Sequence, residues 1–192
     1  MDYQLYIDKQ IARSKETQSW TVNKYHKRSY IYARMQQFGV VGKTILCVGA
    51  RDVSEMDFFK KLGFKVDGID LWSSGEIIEC DMSEMLDHPY LSNKEYDIVF
   101  ACDVMEHCCD LIGFVKGLNK ICKTYFVCFS ITCKNAPYGI NLDNWDCARH
   151  EFMNDNQDDS TNSLLKTFDQ FSVVTNAVER DGKQVIFILK KK

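Results

Sequence analysis

From residue 43 onward, short apolar runs alternate with amphipathic stretches. The runs TILCVG (44–49), KVDGI (65–69), EIIEC (76–80), DIVFAC (97–102) and TYFVCFSI (124–131) predict strands, and FSVVT (171–175) and QVIFIL (184–189) follow late. Between the first two, Val53, Met56, Phe59 and Leu62 recur at helical spacing, with Asp52 or Ser54 as N-cap and Gly63 as the stop. Leu111, Phe114, Val115, Leu118 and Ile121 mark a second helix entered through Asp110. A third, around Thr161 to Phe168, starts at Ser160 or Thr161 and buries Leu164, Leu165 and Phe168. Strands alternating with helices of this length predict an α/β domain with a parallel sheet covered on both faces. The last two strands are the exception, because Arg180-Asp181-Gly182-Lys183 between them carries an Asp-Gly turn signal and predicts an antiparallel hairpin.

The first 40 residues carry no strand signal. Trp20, Tyr25, Ile31, Met35 and Phe38 recur loosely at helical spacing, with Ser19 or Thr21 as a cap and Gly39 as the stop. This segment concentrates Lys24, His26, Lys27, Arg28 and Arg34, which read as a solvated face, with a lid or substrate-facing surface as the alternative. A chain of 192 residues fits one domain, 1–192, in which the helical segment 1–40 precedes a core over 41–192. The net charge of -3 argues against a surface that grips nucleic acid everywhere. No run approaches the roughly 20 apolar residues of a membrane span and the N-terminus is polar, so a soluble, cytoplasmic protein is expected. Several of the nine cysteines lie inside apolar runs, as free thiols do in a reducing compartment. Cys108 and Cys109 beside His107 invite a zinc reading, but no second pair completes a ligand set, and no metal is expected.

In an open parallel sheet, ligands bind beyond the carboxyl ends of the strands. After the first strand comes Gly49-Ala50-Arg51-Asp52, where Gly49 allows close approach to the backbone and the following helix offers free N–H groups. After the second comes Asp70, placed to accept hydrogen bonds from ribose hydroxyls, with Leu71 next to it. After the third, Asp81 suits an adenine amino group and Met82 the ring face. After the fourth, Cys102, Asp103 and His107 stand at the crevice mouth. Each carboxylate alone also suits a helix cap; their recurrence at successive strand ends favours a ligand site.

These stretches, ILCVGARDVSE (45–55), LGFKVDGIDL (62–71), IECDMSEM (78–85) and YDIVFACDVMEH (96–107), resemble the class I S-adenosylmethionine-dependent methyltransferases, most closely the type 11 group. The resemblance covers about residues 40–190. It implies a Rossmann-like three-layer αβα sandwich whose seven-stranded sheet is mostly parallel with an antiparallel last strand, and S-adenosyl-L-methionine as cofactor. It places Gly49 against the methionine part of the cofactor, Asp70 on the ribose and Asp81 on the adenine, with Glu55 at the methionine end. Ala50, Arg51, Leu71, Met82, Cys102 and Asp103 then line the same crevice. The chain departs from the family at its first motif, E-x-G-x-G-x-G, whose four fixed positions are here Cys47, Gly49, Arg51 and Val53. The missing acid removes a partner for the cofactor's ammonium group.

Methyl transfer needs a base only for an acceptor that carries a proton, and the candidates are Asp103, His107 and His150, with Tyr138, Trp145 and Arg149 as acceptor contacts. A small-molecule or sugar-like acceptor is the first expectation. RNA is the alternative, through a lysine, aspartate, lysine, glutamate set like that of ribose 2′-O-methyltransferases: Lys27 or Lys24, Asp103, Lys134 and Glu179. Asn135-Ala136-Pro137-Tyr138 resembles the motif of DNA amino-methyltransferases but follows the wrong strand. A scaffold that kept the fold and lost the reaction is a rival reading; an NAD enzyme is disfavoured by the absence of G-x-G-x-x-G.

Overall fold

Alternation along the strands sorts the core into two layers, one on each face of a single sheet. The computed structural model describes residues 3–16, 21–73, 75–108, 110–130, 166–179 and 184–192. Two helices, α1 (Tyr3–Glu16) and α2 (Thr21–Gln37), precede β1 (Thr44–Val48), α3 (Val53–Lys61), β2 (Lys65–Asp70), β3 (Ile78–Glu79) and β4 (Tyr96–Cys102). Then follow α4 (Leu111–Ile121), β5 (Cys122–Ser130), β6 (Phe171–Glu179) and β7 (Gln184–Lys191). The sheet order is β3-β2-β1-β4-β5-β7-β6. The first five strands pair in parallel, and β7 enters antiparallel to both β5 and β6. This is the parallel sheet with a late antiparallel hairpin that the pattern predicts, and the Rossmann-like seven-stranded sheet that the resemblance implies.

Odd and even positions of each strand face opposite layers. Ile45, Cys47, Ile98, Phe100, Tyr125, Val127 and Phe129 pack with Ile31 and Met35 of α2 and with Phe58 and Phe59 of α3. On the other face Leu46, Val48, Val99, Ala101, Phe126 and Cys128 pack with Leu111, Phe114, Leu118 and Ile121 of α4. Asp52 and Asp110 cap α3 and α4, accepting from the backbone N–H groups of Ser54 and Gly113. Gly39 and Gly63, with φ of 67° and 91°, end α2 and α3 in the left-handed conformation that glycine tolerates.

Most strand bounds shift by one or two residues, and two strands change more in length. The third is only Ile78–Glu79, because it lies at the sheet edge and pairs with β2 over two residues. The sixth runs on to Glu179, opposite Gln184, so Glu179 ends a strand rather than sitting in a loop. The expected helix over 161–165, the turn 180–183, Ser19, Trp20, Cys109 and the stretch 134–159 lie outside the described residues. Among the described residues no helix is long and apolar enough to cross a membrane.

Candidate functional site

The strand order turns at β1 and β4: from β1 the chain builds outward to β2 and β3, and from β4 outward to β5. Their carboxyl ends therefore flank the crevice where ligands bind in such sheets. Among the described residues, two non-glycine residues have positive φ, and they follow these two strands: Arg51 at 51° and Asp103 at 52°. Backbone held in this region costs energy and clusters at functional sites.

On the β1 side the turn is pinned by backbone bonds. Ala50 N–H donates to the Ile69 carbonyl at 2.9 Å, and Arg51 N–H donates to Asp70 Oδ2 at 2.9 Å. Burial pushes the Asp70 carboxyl up, opposed by the N–H groups of Arg51, Leu71 and Trp72 and by the Arg51 charge. Asp70 thus stands at the end of β2 with its carboxylate set by main-chain donors. Gly49, at φ 69°, is where the sequence suggested close approach of a ligand; the space beside it is taken by Val104, which a Cβ at Gly49 would overlap.

α2 crosses this edge. Lys27 pairs with Asp103 and lies 4.6 Å from the centroid of the Phe129 ring, while Arg28 reaches Ser54 Oγ at 3.0 Å and Glu55 Oε2 at 3.5 Å. The two adjacent basic residues thus divide between the β4 side and the β1 side. Arg28 is 6% exposed and Glu55 5%. The expectation of a solvated basic face is therefore corrected at both residues: Ile31 and Met35 stand three and seven positions after Arg28, which puts the guanidinium on the buried face of the helix. That spacing was the available signal. Lys27 lies one position away, with its side chain 13% exposed.

The Glu55 carboxylate lies beside the Cys47 thiol, and its Oε1 is buried with no hydrogen-bond partner among the described residues. Burial is the main cause that raises its pKa to about 7, with Asp52 raising it further and Arg28 and Cys47 lowering it. The Cys47 thiol is pushed well above its ordinary range, first by burial and then by Glu55.

Asp81 caps the short 3-10 helix Met82–Glu84, its Oδ1 accepting from Ser83 N–H at 2.8 Å and Ser83 Oγ at 2.7 Å, while Met82 packs against the core beside α4. Asp103 N–H donates to the Phe129 carbonyl at 2.7 Å, which fixes the start of the loop after β4. Its Oδ1 is buried without a partner among the described residues. Cys102 and His107 are half-buried, and His107 closes the 3-10 helix Met105–His107 through its N–H to the Val104 carbonyl. The structure thus brings Gly49, Ala50, Arg51, Glu55, Asp70, Leu71, Cys102 and Asp103 to one edge of the sheet. His150, Lys134, Tyr138, Trp145 and Arg149 lie outside the described residues.

No family model and no curated protein matches this chain. Solved structures do. A Pyrococcus horikoshii protein is 12% identical over 92% of this chain and 94% of its own, with a TM-score of 0.65. A SAM-dependent methyltransferase from Aquifex aeolicus is 15% identical, covering 84% and 89%, at 0.56. The magnesium protoporphyrin IX methyltransferase of Synechocystis, solved with bound SAH, is 11% identical, covering 89% and 84%, at 0.57. At these identities the likeness is one of fold, and the chain has the class I methyltransferase fold.

Proposed function

We propose that the chain is an S-adenosylmethionine-dependent methyltransferase whose cofactor lies across the carboxyl ends of β1 and β2 and whose acceptor enters beyond β4. The observation that carries this reading is the pinned edge: Asp70 set by main-chain donors at the end of β2, next to a turn held in positive φ at Arg51. A carboxylate there suits two ribose hydroxyls. The residues present fit the cofactor in a second respect, since the orphaned Oε1 of Glu55 supplies an acceptor near the turn. Bound, the cofactor supplies the activated methyl group. The chain's own work is to hold acceptor and methyl in line, which can lower the barrier by several kcal/mol without covalent help (about 7–11 kcal/mol in the best-oriented cases).

A small-molecule or sugar-like acceptor remains the first reading. The Lys27–Asp103 pair favours a hydroxyl acceptor in particular, because the lysine ammonium at the crevice mouth can orient a hydroxyl while the Asp103 carboxylate takes its proton. The same pair supports RNA ribose as the second reading, in which Lys134 and Glu179 complete the set. Isothermal titration of S-adenosylmethionine and S-adenosylhomocysteine, with Asp70→Ala as control, tests the cofactor. Transfer of labelled methyl to small polyols and to short RNA then separates the acceptors. Absence of cofactor binding to folded protein would return the scaffold reading.

A further inference from the structure

We propose that the end of the molecule opposite the crevice docks on an anionic lipid surface, with Val41 and Leu62 as apolar tips among exposed lysines.

Strand direction sorts the charge. β1, β2, β4 and β5 all start at the end opposite the crevice, and antiparallel β7 finishes there. Lys65 opens β2, Lys43 and Lys94 stand just before β1 and β4, Lys123 is second in β5, and Lys190 and Lys192 lie where β7 ends; all six are exposed. These strands are consecutive in the sheet, so at about 4.8 Å per strand the lysines form a row roughly 20 Å long. Neighbours stand within a Debye length of about 10 Å, and their fields add.

Their position has no internal account. α3 and α4 end at the same edge with Lys61 and Lys120, and those two answer the carbonyl ends of their helices. A sheet end carries little dipole, so the strand lysines have no such duty. Lys43, Lys65 and Lys123 form no ion pair with another described residue. The acids of this end are mostly engaged. Asp97 accepts from the N–H groups of Lys43 and Thr44, with Lys123 a more distant neighbour. Asp67 accepts from the hydroxyls of Tyr90 and Tyr96, and Glu76 pairs with Lys60. Glu95 and Asp169 stay exposed. Asp52, Asp70, Asp81, Asp103 and Asp110 all stand at the other end, so a net charge of -3 covers one basic end and one acidic end.

The apolar tips select lipid over nucleic acid. Val41, in the turn between α2 and β1, is 70% exposed, and Leu62, after α3, is 42% exposed. Lys65 N–H donates to the Lys43 carbonyl at 2.8 Å, which ties the two turns side by side. Aliphatic tips can enter the acyl boundary while the lysines stay among the headgroups. A nucleic acid is held instead by aromatic platforms and arginine forks. Here Tyr90 has Lys94 over its ring, and Arg34 is half-buried over Phe38 and bonded to Gln37. Docked this way, the crevice faces solution, a strand's length of about 17 Å from the bilayer.

Flotation of the full chain with phosphatidylcholine vesicles containing about 30% phosphatidylserine tests this, at a salt concentration of about 0.1 M. Wild type should bind, lose at least about tenfold on pure phosphatidylcholine, and be released at about 0.5 M salt. K43E/K65E/K123E should lose about a hundredfold. Val41→Asp should lose about tenfold, while Ile112→Asp, which adds the same charge at the crevice end, should stay within about twofold. Ile112 is the fitting control because it is 65% exposed at the start of α4. Should the triple variant fail to fold, the salt and lipid dependence of wild type still decides. No binding to the anionic vesicles, equal binding to neutral ones, or equal loss in Val41→Asp and Ile112→Asp overturns the inference. Tighter binding of a short single-stranded RNA than of the vesicles, abolished in the triple variant, overturns it in favour of a nucleic-acid face.

Discussion

The two sides of the crevice are held by different kinds of contact. On the β1 side the chain's own backbone does the positioning: Ala50 and Arg51 N–H groups tie the turn to β2, Asp52 caps α3, and Arg28 with Glu55 is buried beneath. On the β4 side Asp103 N–H ties the start of the loop to the Phe129 carbonyl, and beyond it a side-chain pair, Lys27 with Asp103, lies over Phe129 with the Asp103 side chain 39% exposed. Main-chain bonds fix atoms to within tenths of an ångström, whereas a long lysine side chain can swing at modest cost. Under the proposed methyltransferase function, the first side suits the invariant cofactor and the second the variable acceptor.

The strongest way to break that division is at Asp70. Asp70→Ala should weaken S-adenosylhomocysteine by about a hundredfold, as loss of two charge-assisted hydrogen bonds implies. Titration calorimetry reads it, and an affinity within threefold of wild type would mean that the pinned edge does not hold the nucleoside.

Next is the pH dependence of the empty protein. Glu55 is raised from about 4.5 to about 7 in the fold, so between these values the folded state holds a proton that the unfolded chain has released. Stability is therefore greatest below about pH 4.5 as far as this group is concerned, and it falls as pH rises through about 7. The full span of that loss is about 3 kcal/mol. Urea unfolding at pH 5.5 and 8 should show the fall in wild type and a flatter profile in Glu55→Gln, while a variant of Asp103 leaves the slope in place. The same slope in wild type and Glu55→Gln would assign it to other groups.

Gly49 tests whether the turn is shaped by its ligand or by its own packing. At φ 69° and against Val104, Gly49→Ala should cost about 2 kcal/mol in stability. Measured against a Val104→Ala background, which carries its own cost for truncating a buried side chain, the overlap is relieved but not the φ penalty, so chemical denaturation should recover roughly half the loss caused by Gly49→Ala. Full recovery would show that the conformation itself is inexpensive there.

Sheet and crevice were legible in the sequence to different depths. The parallel strands were legible because both faces are buried, which writes continuous apolar runs such as DIVFAC. Edge strands were less so: Asn176 to Glu179 extends β6 through pairing with β7 alone, and Ile78–Glu79 is cut short for want of partners. Strand-end acids could be read off because position follows from order along the chain. Their surroundings could not: that Val104 fills the space at Gly49, or that Glu55 of α3 lies beside Cys47 of β1, depends on how helices sit over the sheet. Arg28 was within reach, at helical spacing from Ile31 and Met35, but its place in a run of five basic residues pointed to solvent.

The smallest effect on stability is expected at Lys27, and it is the sharpest for function. Its pair with Asp103 is partly solvated, so Lys27→Met should cost about 1 kcal/mol or less. The methionine keeps the contact with Phe129 and Met35 of α2 stays buried, so the helix remains docked. On the β1 side nothing changes, and S-adenosylhomocysteine should bind Lys27→Met within twofold of wild type. Turnover is where the two sides part. If the lysine orients an acceptor hydroxyl for proton transfer to Asp103, the maximal rate falls by about a hundredfold, within the usual range for a disrupted acid–base step. The rate loss should shrink as pH rises, since a hydroxyl that ionises by itself needs no base. A Lys27→Met protein that turns over normally but binds S-adenosylhomocysteine poorly would reverse the assignment, placing the cofactor under α2 at Asp103 and the acceptor over β2.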